Sequence, residues 1–220
     1  MSSEEILEAA RKISLLKIGT VVLQSGEDAA LDSQWLAEII REIKSKYNMA
    51  VTISAGEKSG EEYKIWKDAG TDRYLLKIET TDPAVYSAAH NGRRLESRLK
   101  CLDILQSLGY QTGTGILIGL RGQTIESLVR DILFLKRKDF DMIGIGPFIP
   151  HSQTAFADDV PGSVLLTLKM LAVVRIATRD PHMPATTALG SAGADYRIDG
   201  LNAGANVLMP NFTPAGYRTL

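Results

Sequence analysis

The sequence predicts an α/β fold with a parallel β-sheet, and three observations support this. Short, wholly apolar segments recur along the 220-residue chain, amphipathic stretches separate them, and most of the segments run into polar or Gly-rich residues. Apolar runs without polar alternation are typical of parallel strands that are buried on both faces. Strands alternating with helices predict a parallel sheet covered by helices. The predicted strands are 21–23, 50–53, 74–76, 116–118, 142–145, 185–188 and 207–209.

Helical spacing marks the segments between these strands. Ser2 and Glu5 have the spacing of a capping box, which predicts a first helix over 6–16. A second helix is predicted to begin near Ser33, with Glu27 and Asp28 as candidate caps. Two sets of apolar residues each share one helical face. They are Trp35, Leu36, Ile39, Ile40 and Ile43, and then Ile125, Leu128, Val129, Ile132 and Leu133.

The order of elements predicts one domain over residues 1–220, because no linker rich in Pro, Gly or Ser divides the chain. Gly113 is expected near the start of the fourth strand, with 112–115 before that strand. A closed barrel of about eight parallel strands needs one more strand than the seven predicted. Since the chain opens on a helix, that strand would precede Met1. A doubly wound open sheet is the structural alternative.

Composition excludes several classes of function. The chain has 25 Lys and Arg residues against 26 Asp and Glu, so its charge gives no support to nucleic-acid binding. No apolar run is long enough to span a bilayer, and the N-terminus lacks the features of a signal peptide. Cys101 is the one cysteine, which rules out a disulfide framework. Its helical spacing with Leu99, Leu102 and Leu105 predicts a buried structural thiol. We expect a cytoplasmic setting.

Polar residues directly after the strands predict a polar pocket at one end of a barrel, where barrel enzymes place their chemistry. The other interpretation is that these residues only cap the following helices, and the residues alone favour neither. Glu79 ends an apolar strand and needs a cationic partner, such as Arg98 or a ligand amine.

Six segments together carry a resemblance to a known family. They are 21–28, 74–80, 119–124, 141–151, 184–188 and 204–211. In this order they resemble the E-type maturases of iron–iron hydrogenases, which are radical S-adenosylmethionine enzymes related to biotin synthase. The resemblance implies a TIM-type (β/α) barrel, here incomplete. It also implies a 4Fe-4S cluster held by a C-x3-C-x2-C loop, and reductive cleavage of S-adenosylmethionine to a 5′-deoxyadenosyl radical.

The resemblance also implies roles for individual residues. Ser25, Gly26 and Glu27 match the segment that contacts the methionine ammonium of the cofactor. Ser54, Glu79 and Arg98 match positions that hold the rest of the cofactor. Five further residues match positions that face the substrate in the barrel interior. They are Thr52, Lys77, Thr186, Thr187 and Tyr217.

The chain departs from the family in ways that bear on activity. It has no C-x3-C-x2-C motif, and it is expected to begin after the first strand and the cluster loop. Lys77-Ile78-Glu79-Thr80 stands where the family has Arg-His-Glu-Thr, and Arg121 replaces a proline. We therefore expect a fragment of a radical enzyme for hydrogenase active-site cluster assembly, which works with the hydrogenase maturation machinery and is inactive alone.

Two alternatives remain open at this stage. A non-catalytic paralogue could bind S-adenosylmethionine or a partner protein through the retained Glu27, Glu79 and Arg98. An ordinary barrel enzyme, such as an aldolase, could use Lys77 to form a Schiff base.

Overall fold

The structure is a computed structural model that describes residues 1–217. Its α-helices are α1 (Ser3–Leu15), α2 (Ser33–Lys46), α3 (Gly60–Asp68), α4 (Pro83–Ala89), α5 (Leu95–Ser107), α6 (Ile125–Lys138), α7 (Val164–Thr178) and α8 (Arg197–Asn202). Its strands are β1 (Thr20–Gln24), β2 (Ala50–Ser54), β3 (Arg73–Leu75), β4 (Gln111–Ile118), β5 (Met142–Pro147), β6 (Pro184–Ala185) and β7 (Val207–Leu208). No helix within 1–217 is long and apolar enough to cross a membrane.

The described residues form two compact units. The first comprises 1–76, 100–112 and the residues from 210 onward, and the second comprises 77–99 and 113–209. In the first unit β2 pairs in parallel with both β1 and β3. In the second unit β5 pairs in parallel with β4 and β6, and β6 with β7. Parallel strands that alternate with helices confirm the predicted α/β class.

Two helix starts test the capping predictions. The capping box of α1 is confirmed: Ser2 Oγ accepts from the Glu5 amide at 3.3 Å, and the Glu5 carboxylate accepts from the Ser2 amide at 2.7 Å. The expectation that Glu27 or Asp28 caps α2 is wrong. Asp32 is the cap, because it directly precedes the helix and accepts from the amide of Gln34 at 2.8 Å.

The core of the first unit is aromatic. Trp66 and Tyr74 are fully buried and stack with 6.1 Å between ring centroids. The Tyr63 ring meets the Tyr74 ring edge-on at 5.0 Å. Burial raises the pKa of both tyrosines above the usual value, so their hydroxyls act as neutral donors and acceptors. Tyr63 and Tyr74 of this cluster form hydrogen bonds with the backbone of the loop that follows β2.

The apolar face predicted for α6 is wrong in part. Leu128 is buried, but Ile125, Val129 and Leu133 are each about half exposed or more. The helix buries instead the face that carries Asp131 and Leu135. The spacing identified a helix correctly, yet a polar residue takes one of the inward positions because it has a specific hydrogen-bond partner.

Two strand boundaries also differ from the prediction. β4 already begins at Gln111, so residues 112–115, including Gly113, lie inside the strand rather than before it. β6 ends at Ala185, and a 3₁₀ helix covers Thr187–Gly190 where the strand was expected to continue. The start of β4 was missed because glycines, which are depleted in strands, interrupt its apolar pattern; the end of β6 was missed because threonine favours strands and yet Thr187 lies in the 3₁₀ helix.

Candidate functional site

Glu27 follows β1 in the first unit, and its carboxylate lies against the loop after β2. Oε2 of Glu27 accepts from the amide of Glu57 at 3.1 Å. Gly56 has a φ of +75°, and a Cβ atom there would lie 2.5 Å from the same oxygen. Only glycine fits this position, because it permits both the left-handed backbone and the close approach of the carboxylate.

The tyrosines of the aromatic core hold this loop in place. The hydroxyl of Tyr74 donates to the carbonyl of Gly56 at 2.9 Å. The amide of Lys58 donates to the hydroxyl of Tyr63 at 2.9 Å. Two rigid phenols therefore fix the backbone on which Glu27 rests.

Ser25 and Ser54 are brought together by the pairing of β1 with β2. The amide of Ser25 donates to the carbonyl of Ser54 at 2.9 Å, which extends the parallel ladder by one bond. Gly26 is exposed beside them. Thr52 lies further back on β2 and is buried, and its Oγ1 has no hydrogen-bond partner among the described residues.

In the second unit Lys77 and Glu79 form an ion pair. Their Nζ and Oε2 atoms are 3.0 Å apart, and both side chains are less than one-third exposed. Oε2 is buried and makes no hydrogen bond of good geometry within residues 1–217, so it keeps acceptor capacity. The expectation that Glu79 has a cationic partner is confirmed, but the partner is Lys77, whereas the Arg98 suggested from the sequence donates to Tyr86.

The backbone of Glu79 adopts a strained turn. Its φ is +61°, in the left-handed region that a glutamate rarely enters. The amide of Thr80 donates to the carbonyl of Ile78 at 2.7 Å, which closes a tight turn around Glu79. Residues held in such conformations cluster at functional sites, where the surroundings enforce them.

Glycines make room on the neighbouring strands. Gly115 on β4 lies opposite Gly144 on β5. A Cβ atom at Gly115 would lie 2.9 Å from Cε of Lys77, so the lysine stem occupies that space. A Cβ atom at Gly146 would lie 2.9 Å from Oγ1 of Thr186, which is buried without a hydrogen-bond partner in the described chain.

Arg98, Thr187 and Tyr217 complete the predicted set. Arg98 is 4% exposed, and its Nε donates to the hydroxyl of Tyr86 at 3.0 Å. Thr187 is exposed at the start of the 3₁₀ helix. The hydroxyl of Tyr217 donates to Glu5 on α1 at 2.9 Å. The substrate-facing roles of Thr187 and Tyr217 stay predictions.

The residues suit a polar organic ligand better than a metal. Buried hydroxyls without a hydrogen-bond partner among the described residues, Thr52 Oγ1 in the first unit and Thr186 Oγ1 in the second, are unusual in folded chains and are expected where a ligand supplies the partner. By contrast, residues 1–217 contain no group of three or more His, Cys, Asp or Glu side chains that could hold a metal ion. Cys101 is buried, and its thiol lies 3.8 Å from the Lys58 carbonyl. A cluster held by three thiolates does not fit these 220 residues alone.

A comparison with protein families decides the assignment. The family model described as the radical SAM superfamily matches residues 1–135. The chain belongs to the radical SAM superfamily. It is 50% identical to the FeFe-hydrogenase maturase subunit HydE of Thermotoga maritima over 220 residues, which are 100% of this chain and 63% of that protein. The resemblance predicted from the sequence is therefore confirmed.

Relatives of lower identity include a methylornithine synthase and a biotin synthase. The 3-methylornithine synthase of Methanosarcina acetivorans is 27% identical over 94% of this chain and 59% of its own length. The biotin synthase of Thermotoga neapolitana is 26% identical over 100% of this chain and 77% of its own length. The chain thus spans about three-fifths of the length of HydE and of the methylornithine synthase.

Solved structures confirm the fold class. The crystal structure of methylornithine synthase (PylB) matches 94% of this chain and 61% of that chain with a TM-score of 0.87 and 26% identity. The maturase HydG matches with a TM-score of 0.76 at 18% identity, which shows the fold alone. The α/β fold is therefore the incomplete TIM-type barrel of radical SAM proteins. The family implies S-adenosylmethionine and a 4Fe-4S cluster as cofactors.

Sequence reasoning missed three features of these surroundings. It did not single out Gly56 as the residue against which the Glu27 carboxylate packs, although an isolated glycine near a strand signals a close approach to the backbone. It did not assign the space that Gly146 leaves beside Thr186. It also missed Asp131, because a carboxylate among helical apolar residues gives no sign of facing inward.

Proposed function

We propose that this chain forms the S-adenosylmethionine-binding barrel of an iron–iron hydrogenase maturase of the HydE type. In this role, reductive cleavage of S-adenosylmethionine serves assembly of the hydrogenase active-site cluster. The observation that carries the proposal is the identity of 50% to HydE along the whole chain, against 27% and 26% to the methylornithine and biotin synthases. Proteins of hydrogenase maturation are the proposed partners, in the cytoplasmic setting expected from the sequence.

The described residues support specific roles in holding the cofactor. The carboxylate of Glu27 suits the methionine ammonium, with Ser25 and Gly26 supplying backbone groups. The buried guanidinium of Arg98 suits a carboxylate, which it can bind through two parallel hydrogen bonds. Ser54 and Glu79 are proposed to hold the remaining part of S-adenosylmethionine. Bound S-adenosylmethionine supplies the radical chemistry, while the protein orients it and excludes water.

The substrate is assigned to a second group of residues. Thr52 and Thr186 offer buried hydroxyls without partners within residues 1–217. Lys77 offers an ammonium beside Glu79, at the end of a stem that lies against Gly115. Thr187 and Tyr217 complete this group by their match to the family.

Calorimetry tests the binding of the cofactor. S-adenosylmethionine is titrated into the wild-type chain, into Glu27→Gln and into the control Glu42→Gln. The Glu42 carboxylate pairs with Lys46 on the solvent-exposed face of α2. We expect binding by the wild type, an affinity lower by roughly tenfold or more for Glu27→Gln, and no change for the control. No binding by the wild type, or equal affinity for Glu27→Gln, would contradict the proposal.

The single cysteine favours a second candidate, a chain that binds S-adenosylmethionine or a partner protein without chemistry. We expect the 220 residues alone to hold no 4Fe-4S cluster and to cleave no S-adenosylmethionine. Anaerobic reconstitution followed by iron and sulfide analysis measures this. Stoichiometric iron and sulfide in the isolated chain would refute the expectation, unless two chains share a cluster.

A further inference from the structure

Asp131 is a fully buried carboxylate on α6, an unusual place for a charged group. Neither the sequence motifs nor the proposed binding site uses it. Its Oδ1 atom accepts from the amide of Thr81 and from the hydroxyl of Thr81, each at 2.6 Å. The hydroxyl of Thr80 lies 3.5 Å from the same oxygen. One carboxylate oxygen therefore holds the segment that follows Glu79.

Further bonds tie this segment to α6. The amide of Asp82 donates to the hydroxyl of Thr80 at 3.1 Å, and Asp82 then caps α4. Arg130, the neighbour of Asp131 on α6, donates to Asp82 at 2.8 Å. The chain from Thr80 to Asp82 is thus held by two consecutive residues of one helix.

Glu79 is held on its other side by β4. Its amide donates to the carbonyl of Gly115 at 2.9 Å, and its carbonyl accepts from the amide of Leu117 at 2.9 Å. The strained turn is therefore fixed at two points: β4 pairs with the backbone of Glu79 itself, and the Asp131 carboxylate holds Thr81, two residues further on. Strained conformations persist only when the surrounding structure determines them in this way.

We propose that Asp131 is a positioning residue, which holds Glu79 in its left-handed turn and thereby directs the Glu79 carboxylate. That this carboxylate serves the cofactor rests on the proposed function, whereas the control of the turn does not. Without the Asp131 carboxylate, the amide and hydroxyl of Thr81 lose their shared acceptor. Within residues 1–217, only the Arg130–Asp82 pair, three residues beyond Glu79, then still ties this segment to α6, which leaves Glu79 freer to relax to a negative φ.

Hydrogen exchange measured amide by amide with NMR tests the control of the turn directly. In Asp131→Ala we expect the amides of Glu79, Thr80 and Thr81 to exchange faster by about tenfold or more. Thr81 loses its acceptor, and the bonds of Glu79 to Gly115 and of Thr80 to Ile78 open more often once the turn is released. Asp131→Asn keeps an acceptor oxygen and should restore slow exchange. Unchanged exchange in Asp131→Ala would overturn the proposal.

A matched control separates positioning from general loosening of the helix. Ser127 lies on α6, is 1% exposed and closes the capping box with Thr124. Ser127→Ala should weaken α6 without changing exchange at Glu79. Equal acceleration in Ser127→Ala would overturn the proposal. If Asp131→Ala does not fold, the variants Thr81→Val and Thr81→Ser are compared instead. Valine removes the hydroxyl that donates to Asp131 and serine keeps it, so the amide of Glu79 should exchange faster in Thr81→Val only. Equal exchange in the two variants would overturn the proposal.

A double-mutant cycle tests the link to the cofactor. Asp131→Ala should weaken S-adenosylmethionine binding by about tenfold in the wild-type background but have little effect in a Glu79→Gln background, since it acts through Glu79. Equal weakening in both backgrounds would overturn the assignment. If the wild type itself binds no S-adenosylmethionine, the proposed function fails, while the exchange experiment still decides the role of Asp131.

Discussion

Replacing Glu79 by glycine is expected to give a more stable protein than replacing it by alanine. Both changes remove the carboxylate and its ion pair with Lys77, so those losses cancel in the comparison. What differs is the backbone, which has a φ of +61° at this position. An L-residue in the left-handed region costs about 1–2 kcal/mol, and glycine loses roughly 0.5–1 kcal/mol more conformational free energy than alanine on folding.

The net advantage of glycine is therefore about 1 kcal/mol, which corresponds to roughly 2–4 °C in Tm for a chain of this size. Urea unfolding and calorimetry of the two variants measure it. Glu61, in the first turn of α3, gives the control, because glycine in a helix should be less stable than alanine there. An alanine variant at position 79 as stable as the glycine variant would refute the strained turn.

Three further predictions concern stability. Burial raises the pKa of Asp131 above its usual value of 3.8, so the folded chain takes up this proton first as the pH falls. Urea unfolding at several pH values should show the wild type gaining stability relative to Asp131→Asn as the pH drops towards 3.8; a constant difference would contradict this. A Cβ atom at Gly162 would lie 1.8 Å from the carbonyl oxygen of Ile118, so Gly162→Ala should lose about 3 kcal/mol in urea unfolding. Gly19→Ala, with nothing within 4 Å, should lose little, and equal losses would refute the argument. Asp32→Ala should cost about 1 kcal/mol of unfolding free energy by removing the cap of α2. Asp28→Ala should cost less, and the reverse order would restore Asp28 as the cap.

Much of the fold could be predicted because apolar patterns decide it. The runs at 21–23 and 50–53 became β1 and β2; the centre of β2 is buried on both faces, whereas in β1 Val21 is buried and its apolar neighbours are half-buried. The boundary of β4 was wrong because Gly113 and Gly115 interrupt the apolar run, and that of β6 because Thr187 is of a strand-favouring type but lies in a 3₁₀ helix. Their conformations are decided by neighbouring strands and by the close approach of backbones, which one sequence does not reveal.

The candidate site was predictable only through the resemblance. The sequence alone offered Arg98 or a ligand amine as the partner of Glu79, whereas the structure supplies Lys77, two residues away. The left-handed turn at Glu79 and its support by Asp131 depend on contacts across 50 residues of chain. Such contacts need three-dimensional packing and leave no local pattern. The roles of individual residues toward cofactor and substrate stay predictions.

The most direct test of the central claim is a segment exchange with HydE of Thermotoga maritima. These 220 residues replace the 63% of HydE with which they align, and maturation of an iron–iron hydrogenase is measured together with cleavage of S-adenosylmethionine. The HydE-type assignment predicts that the chimera cleaves S-adenosylmethionine and yields active hydrogenase. A folded chimera that cleaves S-adenosylmethionine but yields no active hydrogenase would contradict the assignment.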